Sequence, residues 1–163
     1  MLLQGGEKMF KRILIALDGS TMAEKALSTA LVLAEQFESE LFLFRVVMPL
    51  PISYRAGAAS AAAIELAERD AVLEAADYLD DLAAGIQEKG FGVRVATRLG
   101  NPSKDIVEFA EQNQIDMLVM CTRGQTGLAR WLLGSVTDHV VRGSPVPVVV
   151  VPALVDSPET VDG

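Results

Sequence analysis

The sequence predicts an α/β fold, an open five-stranded parallel sheet with helices on both faces. Three observations predict it. Short unbroken apolar runs alternate with amphipathic stretches in the order β-α-β-α-β-α-β-α-β. Those runs mostly lack polar alternation, which marks strands buried on both faces. Turn and glycine residues follow the strands at the ends where such sheets hold ligands. Ligands in such sheets bind where the strand order reverses, and strands one and four are expected to flank that crevice in the order 3-2-1-4-5.

At 163 residues, half of them hydrophobic, the chain is long enough to bury a core. We read residues 1–152 as a single domain, with 1–11 a loose N-terminal arm and 153–163 an acidic flexible tail. The net charge of -8 argues against non-specific nucleic-acid binding, which needs clustered Lys and Arg. Cys121 is the only cysteine and His139 the only histidine, so neither an intrachain disulfide nor a four-ligand Cys/His zinc site is possible. Met1–Lys8 carries no secretory pattern, and no apolar run approaches the roughly 20 residues of a membrane span. A cytoplasmic protein with no membrane or nucleic-acid partner is expected.

Ile13-Leu14-Ile15-Ala16-Leu17 is the first strand, ending at Asp18-Gly19-Ser20-Thr21. Ala23, Ala26, Leu27, Ala30, Leu31 and Ala34 then repeat at helical spacing, and Thr21 with Glu24 fits a capping box, so a helix spans 21–37. Leu41 to Val47 is the second strand, stopped by Pro49 and Pro51, with a loop over 49–57. A long helix follows from Ala58, its apolar stripe made by Ala71, Ala75, Tyr78, Leu79, Leu82 and Ile86, with Gly90 as its stop. Glu74, Asp77 and Asp81 form its solvated face.

Val93, Val95 and Thr97 alternate with polar neighbours as the third strand. Asn101-Pro102 reads as N-cap and first residue of a helix that buries Ile106, Val107, Phe109 and Ala110. Asp116 to Met120 is the fourth strand. A helix over 135–142 and a fifth strand, Val148 to Val151, complete the pattern, with Ser144-Pro145-Val146-Pro147 between them.

Two residue sets converge beyond the carboxyl ends of the strands. Asp18, just after the first strand, can accept hydrogen bonds from ribose hydroxyls. After the fourth strand come Met120 to Gly124, then Gly134 to Thr137. Gly124 lets backbone approach a ligand, and Gly134 and Ser135 offer amides and a hydroxyl to phosphate at a helix N-terminus. Val46, late in the second strand, can line an adenine slot. Each has a plainer reading. Asp18 can serve only the turn before the helix, Ser135 with Asp138 fits an ordinary capping pattern, and Gly127 can be a turn glycine.

These residues resemble the universal stress protein family. Its ATP-binding signature is G-x-x-G, nine residues, then G-S or G-T. Here it reads Cys121-Thr122-Arg123-Gly124, nine residues, Gly134-Ser135. The resemblance extends over Ile13 to Ser20, Gly100-Asn101-Pro102, Asp116 to Met120 and Ser144 to Val151. It implies an adenine nucleotide alpha hydrolase-like fold and, in one branch, bound ATP, with ADP and AMP as alternatives. It also implies Mg or Mn held with the phosphates rather than by the protein. Carried onto matching positions, Ala16, Leu17 and Asp18 border the nucleotide, with Asp18 on ribose and Val46 on adenine. Met120, Cys121, Arg123 and Gly124 lie along it, and Gly134, Ser135, Val136 and Thr137 hold phosphates. The family also implies a homodimer through the last strand, Val148, Val149, Val150 and Val151, an apolar edge that would otherwise be exposed.

Two positions depart from the pattern. Cys121 replaces the first signature glycine; an extended backbone there costs little, whereas a positive φ would strain it. Arg45 stands where relatives often have His before Val. Three functions stay open: a nucleotide-binding stress or regulatory protein, the same fold as a protein-interaction module without ATP, and a slow ATPase. No G-x-x-x-x-G-K-[ST] is present to grip β/γ-phosphates, no nucleophile–base pair is visible, and no catalytic residue is assigned.

Overall fold

The computed structural model describes residues 9–55, 57, 60–122 and 133–152. Its elements are β1 (Arg12–Ala16), α1 (Thr21–Phe37), β2 (Glu40–Val47), α2 (Ile52–Arg55), α3 (Ala61–Gln87), β3 (Val93–Leu99), α4 (Pro102–Gln112), β4 (Met117–Cys121), α5 (Ser135–Gly143) and β5 (Val148–Val151). The five strands form one sheet in the order β3-β2-β1-β4-β5. Every pairing is parallel. This is the fold class read from the sequence.

Side-chain parity divides the sheet into two faces. Ile13, Ile15, Leu41, Leu43, Met117 and Val119 pack with Ala23, Ala26, Ala30 and Ala34 of α1 and with Leu79, Ala83 and Ile86 of α3. Leu14, Phe42, Phe44, Leu118 and Met120 pack on the other face with Ile106, Phe109 and Ala110 of α4 and Val140 of α5. Phe44 and Phe109 stack there with ring centroids 4.2 Å apart. The alanine stripe on α1 lets that helix lie close on the strands. Each fully buried Leu or Ile contributes about 1.5–3 kcal/mol relative to exposure, so these two layers carry the hydrophobic stabilisation. On the edge strand β3, Val95 and Leu99 are exposed.

The helix starts differ in detail from the sequence reading. The cap of α1 is Ser20, not Thr21. Ser20 is extended (φ -86°, ψ 148°) and its side chain accepts the Ala23 N–H, whereas Thr21 is already helical. α3 begins after Ser60, whose Oγ accepts the Ala63 N–H at 3.2 Å. Asn101 caps α4 as expected, accepting from Ser103 at 3.0 Å. The stretch read as a loop over 49–57 contains α2, because the Tyr54 and Arg55 N–H groups both return to the Pro51 carbonyl. Glu68 fastens this connection to α3 by accepting the Leu50 N–H at 2.9 Å and pairing with Arg55. The Leu50 N–H is the main cause that holds the Glu68 carboxyl below its usual range.

β3 passes into α4 through Gly100, whose N–H donates to the Val47 carbonyl at 2.8 Å. A Cβ on Gly100 would lie 2.0 Å from Asp105 Oδ2, and Asp105 is paired with Arg98 at 3.2 Å. Gly85 is the opposite case, an exposed helical glycine with nothing within 4 Å of an added Cβ. Gly100→Ala is therefore expected to destabilise the fold by about 1–3 kcal/mol through overpacking. Gly85→Ala is expected to stabilise it by about 0.5–1 kcal/mol through helix propensity. Urea midpoints of the two variants check both; a shift of the same sign in the two would contradict this account.

Candidate functional site

In a parallel sheet all the strand carboxyl ends lie together, and the N-termini of the following helices lie with them. Here the ends of β1, β2 and β4 meet the starts of α1, α4 and α5 around a cavity of about 490 Å³. Ala16, Leu17 and Asp18 line it from the first strand end, and Val46 from the second. Met120 and Cys121 line it from the fourth, and Gly134, Ser135, Val136 and Thr137 from the start of α5. Arg123, Gly124 and Gly127 lie outside the described residues.

The start of α5 differs from the other long helices. Gly134 is its N-cap and supplies no side-chain hydrogen bond, whereas α1, α3 and α4 are capped by Ser20, Ser60 and Asn101. The Ser135–Asp138 capping pattern is not formed. Ser135 is already the first helical residue, and Asp138 instead pairs with Arg142 at 3.0 Å, one turn along. Gly134 to Thr137 line the cavity at the positive end of the helix dipole, where the first amides of a helix lack intrahelical partners, an arrangement suited to an anion.

Asp18 has a role in the turn. Its Oδ1 accepts the Ser20 N–H at 3.0 Å and the Ser20 hydroxyl at 2.6 Å. Ser20 Oγ in turn accepts the Ala23 N–H at 3.1 Å. The carboxylate is thus fixed at the cavity wall by the same bonds that start α1.

Cys121 is extended. It is the last residue of β4, paired with Val151, and the next N–H, of Thr122, donates to the Val151 carbonyl at 3.0 Å. Its parity sends the sulfur to the α1/α3 side, while Met120 faces α4 and α5. The cysteine therefore occupies the first signature position without left-handed strain. Burial pushes its thiol above the ordinary pKa, Lys25 pulls it down and Asp18 pushes it up. No group of three or more His, Cys, Asp or Glu among the described residues is placed to hold a metal.

Arg45, which departs from the family pattern without a role evident in the sequence, packs against α3. Its guanidinium lies over the Tyr78 ring, 5.3 Å from the centroid. A Cβ on Gly19, which has φ 83°, would fall 2.7 Å from the guanidinium carbon. Tyr78 is itself held by donating to Glu24 Oε1 at 3.0 Å. Burial, then Glu24, keeps its phenol protonated well above the usual range. The available signal was an arginine interrupting an apolar run at the ligand-facing end of a strand.

The sequence model of the universal stress protein family matches residues 9–152. The chain belongs to the universal stress protein family. Universal stress protein MJ0531 of Methanocaldococcus jannaschii is 33% identical over 150 residues, covering 92% of this chain and 86% of the relative. The solved structure of protein MJ0577, from the same archaeon, superposes with a TM-score of 0.74 at 29% identity, covering 91% of this chain and 99% of that one. A universal stress protein family protein from Arabidopsis thaliana, solved with AMP bound, has a TM-score of 0.61 at 19% identity, covering 90% and 94% of the two chains, and shares the fold. None of the described helices is long and apolar enough to cross a membrane.

Cys121 yields a pH prediction. Alkylation follows the thiolate, so iodoacetamide labelling of the folded protein is expected to reach half its maximal rate above the ordinary thiol value of roughly 8.5. In urea the midpoint returns to the ordinary value. Mass-spectrometric time courses across pH check this; a folded-state midpoint below the urea midpoint would reverse the assignment of burial as the dominant effect.

Proposed function

We propose that this universal stress protein binds an adenine nucleotide in the crevice beyond β1, β2 and β4 and acts as a nucleotide-dependent regulator in the stress response. ATP is the first candidate, with ADP and AMP as alternatives. The observation that carries the reading is the start of α5. Its cap residue supplies no side-chain bond, and its first residues line the same cavity as Asp18.

In this reading adenine lies by Val46 and ribose by Asp18. The phosphates meet Gly134, Ser135, Val136 and Thr137, with Met120, Arg123 and Gly124 along the nucleotide. A divalent cation, Mg or Mn, arrives with the phosphates, since no carboxylate cluster among the described residues is placed to hold it. The AMP held by the Arabidopsis fold neighbour supports the choice of ligand class. A second reading, an interaction module without nucleotide, is favoured by Asp18, whose Oδ1 is already engaged by Ser20.

We also propose a homodimer through β5. Val148 to Val151 form a half-buried apolar edge that pairs with β4 on one side only. Cytoplasmic residence is part of the proposal, favoured by a single cysteine with no disulfide partner.

Calorimetric titration with ATP and magnesium, together with identification of small molecules released on denaturation, tests the nucleotide. Binding is expected, and Gly134→Val should weaken it by roughly a hundredfold by placing a branched side chain at the phosphate amides. No heat at millimolar ATP and no released nucleotide would leave the interaction module as the reading. For the dimer, Val150→Lys is expected to raise the dissociation constant at least about tenfold by charging the edge. Sedimentation equilibrium reads this directly, and an unchanged constant would move the interface elsewhere.

A further inference from the structure

We propose that Arg45 makes the site selective for adenine nucleotides that carry a phosphate on the ribose, at the 2′ or 3′ position, in addition to the 5′ phosphate. The proposal rests on the nucleotide reading above and deepens it.

Arg45 is the one cationic side chain among the described residues lining the cavity; the other charged ones are Asp18 and Glu74. Among the described residues it has no carboxylate within ion-pair distance and donates no hydrogen bond. A guanidinium has five N–H donors in a planar fork that matches two phosphate oxygens. Leaving that fork uncommitted at the wall of a cavity is costly unless water or a ligand takes it up.

The group is also held in place. The Tyr78 face supports it at 5.3 Å, and the Tyr78 hydroxyl is fixed by Glu24 at 3.0 Å. Gly19 leaves the space on the other side, since a Cβ there would meet the guanidinium at 2.7 Å. Much of the rotamer entropy that an arginine loses on gripping an anion is therefore already spent.

Position determines which phosphate it meets. The guanidinium rests on Gly19, the neighbour of Asp18 in sequence, at the carboxyl ends of β1 and β2. The phosphate-facing start of α5 follows β4, on the opposite side of β1 from β2. A 5′ phosphate chain running to α5 thus leads away from β2, while the ribose diol at Asp18 faces Arg45. In dinucleotide folds an acidic residue about 20 residues after the first turn takes the ribose hydroxyls, and a nearby arginine accommodates a phosphate on them. Here both residue types are present. Asp18, already oriented by two bonds from Ser20, takes the free hydroxyl, and Arg45 takes the phosphate on its neighbour.

The test is a calorimetric titration of the full chain with AMP, adenosine 2′,5′-bisphosphate and adenosine 3′,5′-bisphosphate. At least one bisphosphate is expected to bind roughly tenfold or more tighter than AMP, and the two arms identify the hydroxyl. The preference should fall to near one in Arg45→Met and survive in part in Arg45→Lys, which keeps the charge without the fork. Circular dichroism and melting curves establish that both variants are folded, and the wild-type comparison needs neither. AMP binding as tightly as both bisphosphates would overturn this proposal alone. So would a bisphosphate preference that persists in folded Arg45→Met. If none of the three, nor ATP, binds, the nucleotide reading itself fails and this one with it.

Discussion

The central strand β1 is hydrogen-bonded in parallel on both sides, and the site depends on that constraint. Ala16 at its end is in register with Phe44 of β2 and with Met120 of β4. The two registers bring three strand ends level, so that Asp18, Val46 and Cys121, each one or two residues further on, reach the same cavity. Parallel pairing also places the positive ends of the intervening helices at that edge of the sheet. The chain winds outward from β1 in opposite directions, to β2 and β3 on one side and to β4 and β5 on the other. The crevice between the two halves is a consequence of this connectivity and needs no specialised loop.

What differs among the helix starts is how their free amides are satisfied. Ser20, Ser60 and Asn101 each turn a side-chain oxygen onto the first turn of its helix. Such a cap contributes about 1 kcal/mol and closes the helix end to other acceptors. Gly134 has no side chain with which to do this, and Asp138 is held by Arg142. Stability given up locally at α5 leaves a helix end without a side-chain cap at the cavity, while the packing of Val140 into the core keeps the helix in place.

Cys121 and Arg45 show how the family pattern tolerates change. At the end of β4 the backbone remains in the sheet, so a side chain is accommodated, and the two-residue period of the strand turns the sulfur toward the α1/α3 core. Arg45 obeys the same period at the end of β2. It falls on the α1/α3 side, where Tyr78 offers a ring face and Gly19 offers room. Val46, one residue further, falls on the α4/α5 side. Neighbouring positions on one strand thus meet different parts of the same cavity.

The strands and the placement of most of the candidate residues were legible in the sequence because they depend on local patterns, and the strand order followed from the switch-point rule for open parallel sheets. Unbroken apolar runs such as 13–17 and 148–151 identify doubly covered or edge strands. Residues that follow a strand closely, such as Asp18 and Met120, inherit its position without further information. Family membership was legible for the same reason, since the Gly124 to Gly134-Ser135 spacing is a linear pattern. Tertiary structure decided what depends on competition between partners. Ser20 caps α1 in place of Thr21 because its backbone is still extended. Asp138 is drawn from the start of α5 by an arginine one turn away. The backbone at Cys121 is extended because β5 continues the ladder to Thr122. The placement of Arg45 required α3 to bring Tyr78 beneath it from 33 positions along the chain. A long side chain on a strand can reach several surroundings, and only the packed helix and the bare backbone of Gly19 select one of them.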